Sequence, residues 1–410
     1  MTAETISFPL DPGAAALLTR LHAAGHAAYA VGGCVRDSLL GQTPHDWDLC
    51  TSATPEQVLE LFGETHCIPT GLQHGTVTVK HGGELYEITT FRTEGAYSDG
   101  RHPDHVAFVP DVKEDLARRD FTINAMAYNA EEGLIDPFGG QNDLAAGIVR
   151  AVGEPQRRFE EDALRILRLY RFAARFGFAI DPATGQAARA LCSHLDCVSE
   201  ERIAEELSRL LAAPAPGAYL EAEVLAVIFP ELDAAELPES RRILDALEPG
   251  MEHVPVRLAA LLCPLGEAGA RAALKRLKCS NALTGTVATL VREAAAGMPG
   301  AALTLTARRF LSRYDLATIT NLTALCSARH PEQAEAFAAL QQEAARLVET
   351  NACCRINQLA VNGRDLMDAG IRPGPGLRRV LDALLEQVLT GQLPNEKAAL
   401  LAAAAQVAAS

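Results

Sequence analysis

The sequence predicts an α+β fold: an N-terminal head that mixes strands with helices, followed by an all-helical remainder. Three observations predict it. Through residues 1–150, strand-like runs at 29–31, 46–50, 76–79, 86–91 and 106–109 alternate with glycine-bearing turns such as GLQHG and HGGE. After about residue 155 the strand signals fade, and apolar residues recur at helical spacing to the C-terminus. At 410 residues the chain is too long for one ordinary core, so two to four structural units are expected. Within the helical part, breaks are expected at 212–219 (AAPAPGAY), 248–255 (EPGMEHVP), 297–302 (GMPGAA) and 371–376 (IRPGPG).

Composition narrows the function classes. About half the residues are apolar and no apolar run approaches the roughly 18 residues needed to span a bilayer, so no membrane role is expected. The opening MTAETISFPLDP is acidic and lacks a basic stretch and an apolar core, unlike a signal peptide. A cytoplasmic protein with reduced thiols is the expectation, and most of the ten cysteines are scattered singly. Cys192, His194 and Cys197 cluster, but without a second ligand pair at matching spacing. A net charge of −15 argues against a protein that coats nucleic acid non-specifically; any RNA surface must be a local basic patch.

The head carries the chemistry. Ala30-Val31-Gly32-Gly33-Cys34-Val35-Arg36-Asp37 reads as a strand running into paired glycines, with a helix beginning near Val35. Such glycines let backbone N–H groups approach a phosphate, although a plain tight turn has the same signature. A dozen residues on come His45-Asp46-Trp47-Asp48. On an extended segment Asp46 and Asp48 point to one face, with Trp47 and Leu49 anchoring the other. Side-by-side carboxylates repel unless a cation sits between them, and Mg²⁺ prefers carboxylate and phosphate oxygens. An isolated D-x-D is usually solvated surface; its place after the glycines makes it specific. Glu87, in Tyr86-Glu87-Ile88-Thr89-Thr90-Phe91-Arg92, is the candidate third carboxylate, or else an edge-strand glutamate.

The segment 160–175 is expected to be one helix. Ile166, Leu169, Tyr170 and Ala173 form its apolar face, and Glu161 and Asp162 lie near its start, where the helix dipole favours them. Asp162, Arg165, Arg168 and Arg171 step along it at intervals of three. Arginine without lysine suggests planar, bidentate recognition as well as solubility. The window 150–175 holds seven arginines against four acids, which is the local basic patch the net charge requires.

Taken together, GGCVRD with DWD, YEITTFR, RRDFTINAMAYN (118–129), LIDPFGG (134–140), RRFEEDALRILRLYRFAARFGF (157–178), SEERIAEELSRLL (199–211) and LAVNGRDLMDAGIRPGPGLRRVLDALLEQVL (359–389) resemble the class II tRNA nucleotidyltransferases and their poly(A) polymerase relatives, of the polymerase-β-like superfamily. The resemblance implies a polymerase-β-like head with a mixed sheet over 1–150, a nucleotide-selecting neck over 151–212, a body over 213–300 and a tRNA-binding tail over 301–410. It implies that Asp46 and Asp48 bind two metal ions, and that Gly32 and Gly33, with Arg36 nearby, hold a triphosphate. Arg119, Asp120 and Asn124 would contact sugar and phosphates; read without the family, Asp120 could instead cap a helix carrying Ile123, Ala127 and Tyr128. Glu161-Asp162-Ala163-Leu164-Arg165 matches the family's EDxxR template, in which Asp162 and Arg165 would pair with the edge of cytosine or adenine, while Arg168 and Arg171 would serve phosphates or orient the template. One acceptor-only and one donor-only side chain match the amino donor and ring-nitrogen acceptor that both bases present.

The implied activity is addition of C, C and A to the tRNA 3′ end from CTP and ATP, without a nucleic-acid template. The polar stretch 92–106 occupies the position of a loop that the family uses in switching from C to A, though an ordinary surface loop would look alike. A-only addition, poly(A) synthesis, or a catalytically silent RNA-binding protein on the same fold are the alternatives. The chain ends in LLAAAAQVAAS rather than a basic extension, which disfavours poly(A) synthesis. The only His-Asp dipeptide is His45-Asp46, so no HD phosphohydrolase is expected. The turn before Arg378 and Arg379, with Arg372, could hold RNA phosphate or could be a solvated inter-helix turn.

Overall fold

The computed structural model describes residues 7–95, 106–297 and 302–409. Most of the 92–106 stretch therefore lies outside the described residues. The chain divides into two compact units, Met1–Pro230 and Glu231–Ser410.

In the first unit, helix α1 (Pro12–Ala23) is capped by Asp11, whose carboxylate accepts from the Ala14 N–H. Strand β1 (Ala28–Val31) follows and is buried along its whole length. After α2 (Gly33–Leu39) comes β2 (Leu49–Thr51), and then α3 (Pro55–Phe62), opened by a Thr54–Gln57 capping box. The strands β3 (Cys67–Gly71), β4 (Thr76–His81) and β5 (Glu84–Thr90) form antiparallel neighbours, and β6 (Arg92–Glu94) pairs only with β7 (Val106–Phe108). Helix α4 (Val112–Ala117), strands β8 (Ala127–Asn129) and β9 (Gly133–Ile135), and α5 (Gly140–Ala146) complete the head.

The main sheet runs β3-β4-β5-β2-β1-β8-β9. It is mixed, as expected, because β2 lies parallel to β5 while its other neighbour β1 is antiparallel. Tyr29, Val31, Cys50 and Phe91 meet Val112, Leu116 and Ala127 in a core beneath it. Each such fully buried large side chain contributes roughly 1.5–3 kcal/mol. All ten cysteines are free.

Helices α6 (Pro155–Glu161), α7 (Leu164–Phe176), α8 (Pro182–Ala190), α9 (Glu200–Leu211) and α10 (Ala222–Ile228) close this unit. The expected apolar face of α7 is present: Ile166, Leu169, Tyr170 and Ala173 are all buried. The single helix expected over 160–175 is not. Asp162 adopts φ −148°, ψ 104°, which ends α6, and its carboxylate then takes the Leu164 N–H to open α7. Asp and Asn favour such local bonds over helix interiors, which is why the chain breaks there. Glu161 consequently sits at the end of α6, away from the dipole position predicted for it.

The second unit is helical: α11 (Leu237–Asp245), α12 (Val254–Leu262), α13 (Gly266–Arg276), α14 (Asn281–Ala296), α15 (Leu303–Arg313), α16 (Leu316–Arg329), α17 (Ala334–Glu349), α18 (Gly363–Asp368), α19 (Pro375–Leu389) and α20 (Lys397–Ala409). Its wholly buried Arg257 donates to the carbonyls of Leu247 and Glu248, satisfying the chain just beyond α11. The Gly/Pro turn before α19 is present, with Gly374 at φ 134° and Arg378 paired with Asp382 at 3.2 Å. No described helix is long and apolar enough to cross a membrane.

Candidate catalytic and nucleotide-binding site

The carboxylates gather at one end of the sheet. Val31 donates to the Asp48 carbonyl at 3.0 Å, so the ladder reaches one residue upstream of β2. Leu49 lies opposite Ile88 in the parallel β2–β5 pair, which sets Asp48 beside Glu87. Asp46, Asp48 and Glu87 are all exposed. Although Asp48 reaches solvent, the protein packed around its carboxyl raises its pKa; Arg119 opposes the rise, and the charges of Glu87 and Asp46 add to it. Leu49 is buried, as expected, but Trp47 is not: it is partly exposed and borders a cavity with Asp46.

The glycine turn is tied down rather than loose. Gly32 has φ +77°, and its N–H donates to the Met126 carbonyl at 3.1 Å. A Cβ there would lie 2.7 Å from Arg119 Nη1, so the absent side chain is what admits the guanidinium. Helix α2 starts at Gly33, two residues before the predicted Val35. Arg36 is drawn inward. It donates to Asp37 at 2.8 Å and to Asn124, and lies over the rings of Phe172 and Phe176 at 5.2 and 5.0 Å. Those contacts join the glycine turn to α7 and leave Arg36 as a support for the turn.

Asp120 does not cap a helix. The segment after it forms one 3-10 turn (Thr122–Asn124) and then strand β8. Strand pairing of Ala127 and Tyr128 with β1 and β9 outweighs the helical spacing. Its carboxylate accepts from the Phe121 N–H, from Asn124 Nδ2 at 3.0 Å, and from Arg168 Nε and Nη2 at 2.9 and 2.6 Å. Burial alone would raise its pKa, but Arg168 and these hydrogen bonds hold it well below the ordinary carboxylate range. Arg119 is one-fifth exposed, 3.6 Å from Asp115, and its buried Nε has no hydrogen-bond partner. It faces both the glycine turn and Asp48.

Asp162 and Arg165, the expected template residues, line a cavity of about 330 Å³ with Arg118, Arg119, Asp120, Arg168 and Arg202. Asp162 accepts from Arg202 Nη2 at 2.8 Å. Arg165 donates to Glu161 at 2.8 Å and to the carbonyls of Arg158 and Arg118. Those three bonds leave part of its five-donor fork for a ligand. Arg171 is not brought to the cavity. It pairs with Glu206 at 2.5 Å and packs 4.0 Å over Phe172. Arg202 and Glu206 had no role in the sequence reading; both lie in the SEERIAEELSRLL segment, and only their motif membership could have marked them.

Comparison with known proteins decides the family. Residues 28–150 match the family model for the Poly A polymerase head domain, 177–236 that for the probable RNA and SrmB-binding site of polymerase A, and 252–404 that for the putative tRNA nucleotidyltransferase domain 2. The CCA-adding enzyme of Lactiplantibacillus plantarum is 39% identical over 96% of this chain and 96% of its own. The chain belongs to the CCA-adding enzyme family. The CCA-adding enzyme of Lactobacillus delbrueckii subsp. bulgaricus is 40% identical over 94% of this chain and 95% of its own. The crystal structure of the Bacillus stearothermophilus CCA-adding enzyme in complex with CTP superposes with a TM-score of 0.79 at 31% identity, covering 97% of this chain and 98% of that one.

A CCA-adding enzyme is a nucleotidyltransferase, and membership implies use of a divalent metal ion. The residues present fit one. Asp46 and Asp48 offer hard oxygen donors, and the negative charges of Asp46 and Glu87 near Asp48 are what a cation would offset. Among the described residues no three His, Cys, Asp or Glu side chains converge tightly enough to hold a metal alone. Substrate phosphate and water would complete the shell, as is usual for Mg²⁺.

Proposed function

We propose that this chain adds C, C and A to the 3′ end of tRNA, taking CTP and ATP as substrates, and that it does so in the cytoplasm with Mg²⁺. The observation that carries the base selection is the meeting of Asp162 and Arg165 in one arginine-lined cavity beside Arg119 and the glycine turn. Asp162 is an acceptor and Arg165 a donor, so together they answer the amino group and ring nitrogen that cytosine and adenine share. Uracil and guanine reverse that pattern. Each would leave a buried polar group unpaired, which costs about 1–3 kcal/mol.

Asp46 and Asp48 are the residues that would hold Mg²⁺, which when bound supplies charge stabilisation at the reacting phosphate. Arg119 holds the triphosphate across the glycine turn. Glu87, beside Asp48, is our candidate to take the proton that the RNA 3′ hydroxyl loses on attacking the α-phosphate, with pyrophosphate leaving. Arg168 orients the template through Asp120, and Arg171 braces α7 through Glu206. We assign 1–150 to catalysis, 151–212 to base selection, and 213–300 and 301–410 to RNA.

The test is incorporation of labelled CTP or ATP into tRNA transcripts ending at the discriminator, at C, or at CC. CTP entering the shortest transcript and ATP entering the CC-ended one is the expected result. ATP entering the CC-ended transcript with no CTP incorporation anywhere would replace the reading with A-only addition.

A further inference from the structure

A second cavity adjoins Asp46. It measures about 660 Å³, and its walls include Pro44, His45, Asp46, Trp47, Leu85 and Tyr86. The segment 8–11 closes one side, pinned where Tyr86 donates to Asp11 at 2.6 Å and where Phe8 stacks on Tyr128 at 4.0 Å. We propose that this cavity receives the terminal nucleotide of the single-stranded RNA 3′ end, with the Trp47 indole as the surface on which its base stacks. The inference rests on the reading that Asp46 and Asp48 hold the reacting phosphate.

Three observations carry it. First, an in-line displacement needs the nucleophile on the side of the phosphorus opposite the leaving group. The arginine-lined cavity shares Arg119 with the glycine turn and so belongs to the incoming triphosphate, whereas Asp46 borders the second cavity. Second, none of the residues lining the second cavity is lysine or arginine. It is no phosphate site, but its aromatic and apolar planes beside the polar side chains of Ser38, Gln42 and Thr43 suit the face and edge of a base. Of its three carboxylates, Asp11 is engaged by Tyr86 and the Ala14 N–H, Asp46 would face a cation, and Glu84 is exposed to solvent. Third, Trp47 is the chain's sole tryptophan, and it stays partly exposed at this cavity rather than fully buried in the core. Base–aromatic stacking is indifferent to base identity, which suits a primer that ends in turn in the discriminator, C and C.

Because Trp47 is the sole tryptophan, emission excited beyond the tyrosine absorption band reports on this one side chain in the full chain. Titration with the ribotrinucleotide ACC should give a saturable quench. The same oligonucleotide with an abasic terminal residue should give a much weaker one, and CTP alone little. In steady-state assays Trp47→Ala should raise KM for CC-ended tRNA roughly tenfold while KM for ATP stays unchanged, and Trp47→Phe should restore most of the loss. A quench by CTP but not by ACC overturns the proposal, as does a Trp47→Ala effect confined to the KM of the nucleoside triphosphate. If ACC quenches but the wild-type protein incorporates neither CTP nor ATP, the proposed catalysis fails while the base-stacking cavity stands.

Discussion

Arg202, near the start of α9, donates to Asp162 at 2.8 Å across 40 residues of chain and so fixes the carboxylate that we propose faces the base. Its side chain is about one-fifth exposed, and it lines the same cavity as Arg165. Arg202→Ala should free the Asp162 carboxylate to rotate and so weaken base choice. The ratio of kcat/KM for CTP over UTP should fall about tenfold, the equivalent of one lost charge-assisted hydrogen bond. Arg202→Lys should recover part of the ratio. An unchanged ratio in Arg202→Ala would remove Arg202 from base selection.

Gly32→Ala should act through Arg119. The positive φ costs a side chain about 1–2 kcal/mol, and the new Cβ would press on the Arg119 guanidinium. KM for CTP and ATP should rise together, about tenfold. In a double-mutant cycle Gly32→Ala should add little to Arg119→Ala, since both remove the same contact. Full additivity would separate the two residues.

Arg36→Ala should be a stability variant. It removes a buried guanidinium packed against the stacked rings of Phe172 and Phe176 and leaves Asn124 and Asp37 short of a donor. Breaking such a buried pair costs about 3 kcal/mol or more. For a domain of this size that lowers Tm by roughly 10 °C. Lysine should not rescue it, because an ammonium can neither fork to two partners nor pack a planar face against the rings. Differential scanning calorimetry reads the outcome.

Asp120 predicts a pH dependence of definite sign. Its folded pKa lies well below its unfolded one, so it binds fewer protons in the folded state. Its stabilisation is therefore complete above the unfolded value of about 3.9 and is lost as pH falls below that toward the folded pKa. The stability difference between wild type and Asp120→Asn should be flat from pH 7 to about pH 5 and should shrink only in stronger acid. Chemical denaturation across that range measures it; a difference that shrinks near neutrality contradicts the Asp120–Arg168 pairing.

Much of the site was legible without coordinates. The glycine pair, the D-x-D, Glu87 and the EDxxR run are short-range patterns, and short-range patterns survive folding because neighbours in sequence stay neighbours in space. The strand–helix alternation before residue 150 and the helical spacing after it were visible for the same reason. The periodicity even identified the buried face of α7 residue by residue.

What the sequence by itself determined was thus the set of chemical groups and their local order: two carboxylates on an extended segment, glycines before a helix, arginines at intervals of three. The tertiary structure alone decided which arginines line the cavity. Arg165 and Arg168 line the cavity, while Arg171 turns to Glu206 and Arg36 to Phe172 and Phe176. The break at Asp162 and the role of Arg202 were likewise decided there. Spacing places a side chain on a face of its helix, but a charged group settles on whichever partner relieves its burial, and those partners arrive from distant segments that no local pattern records.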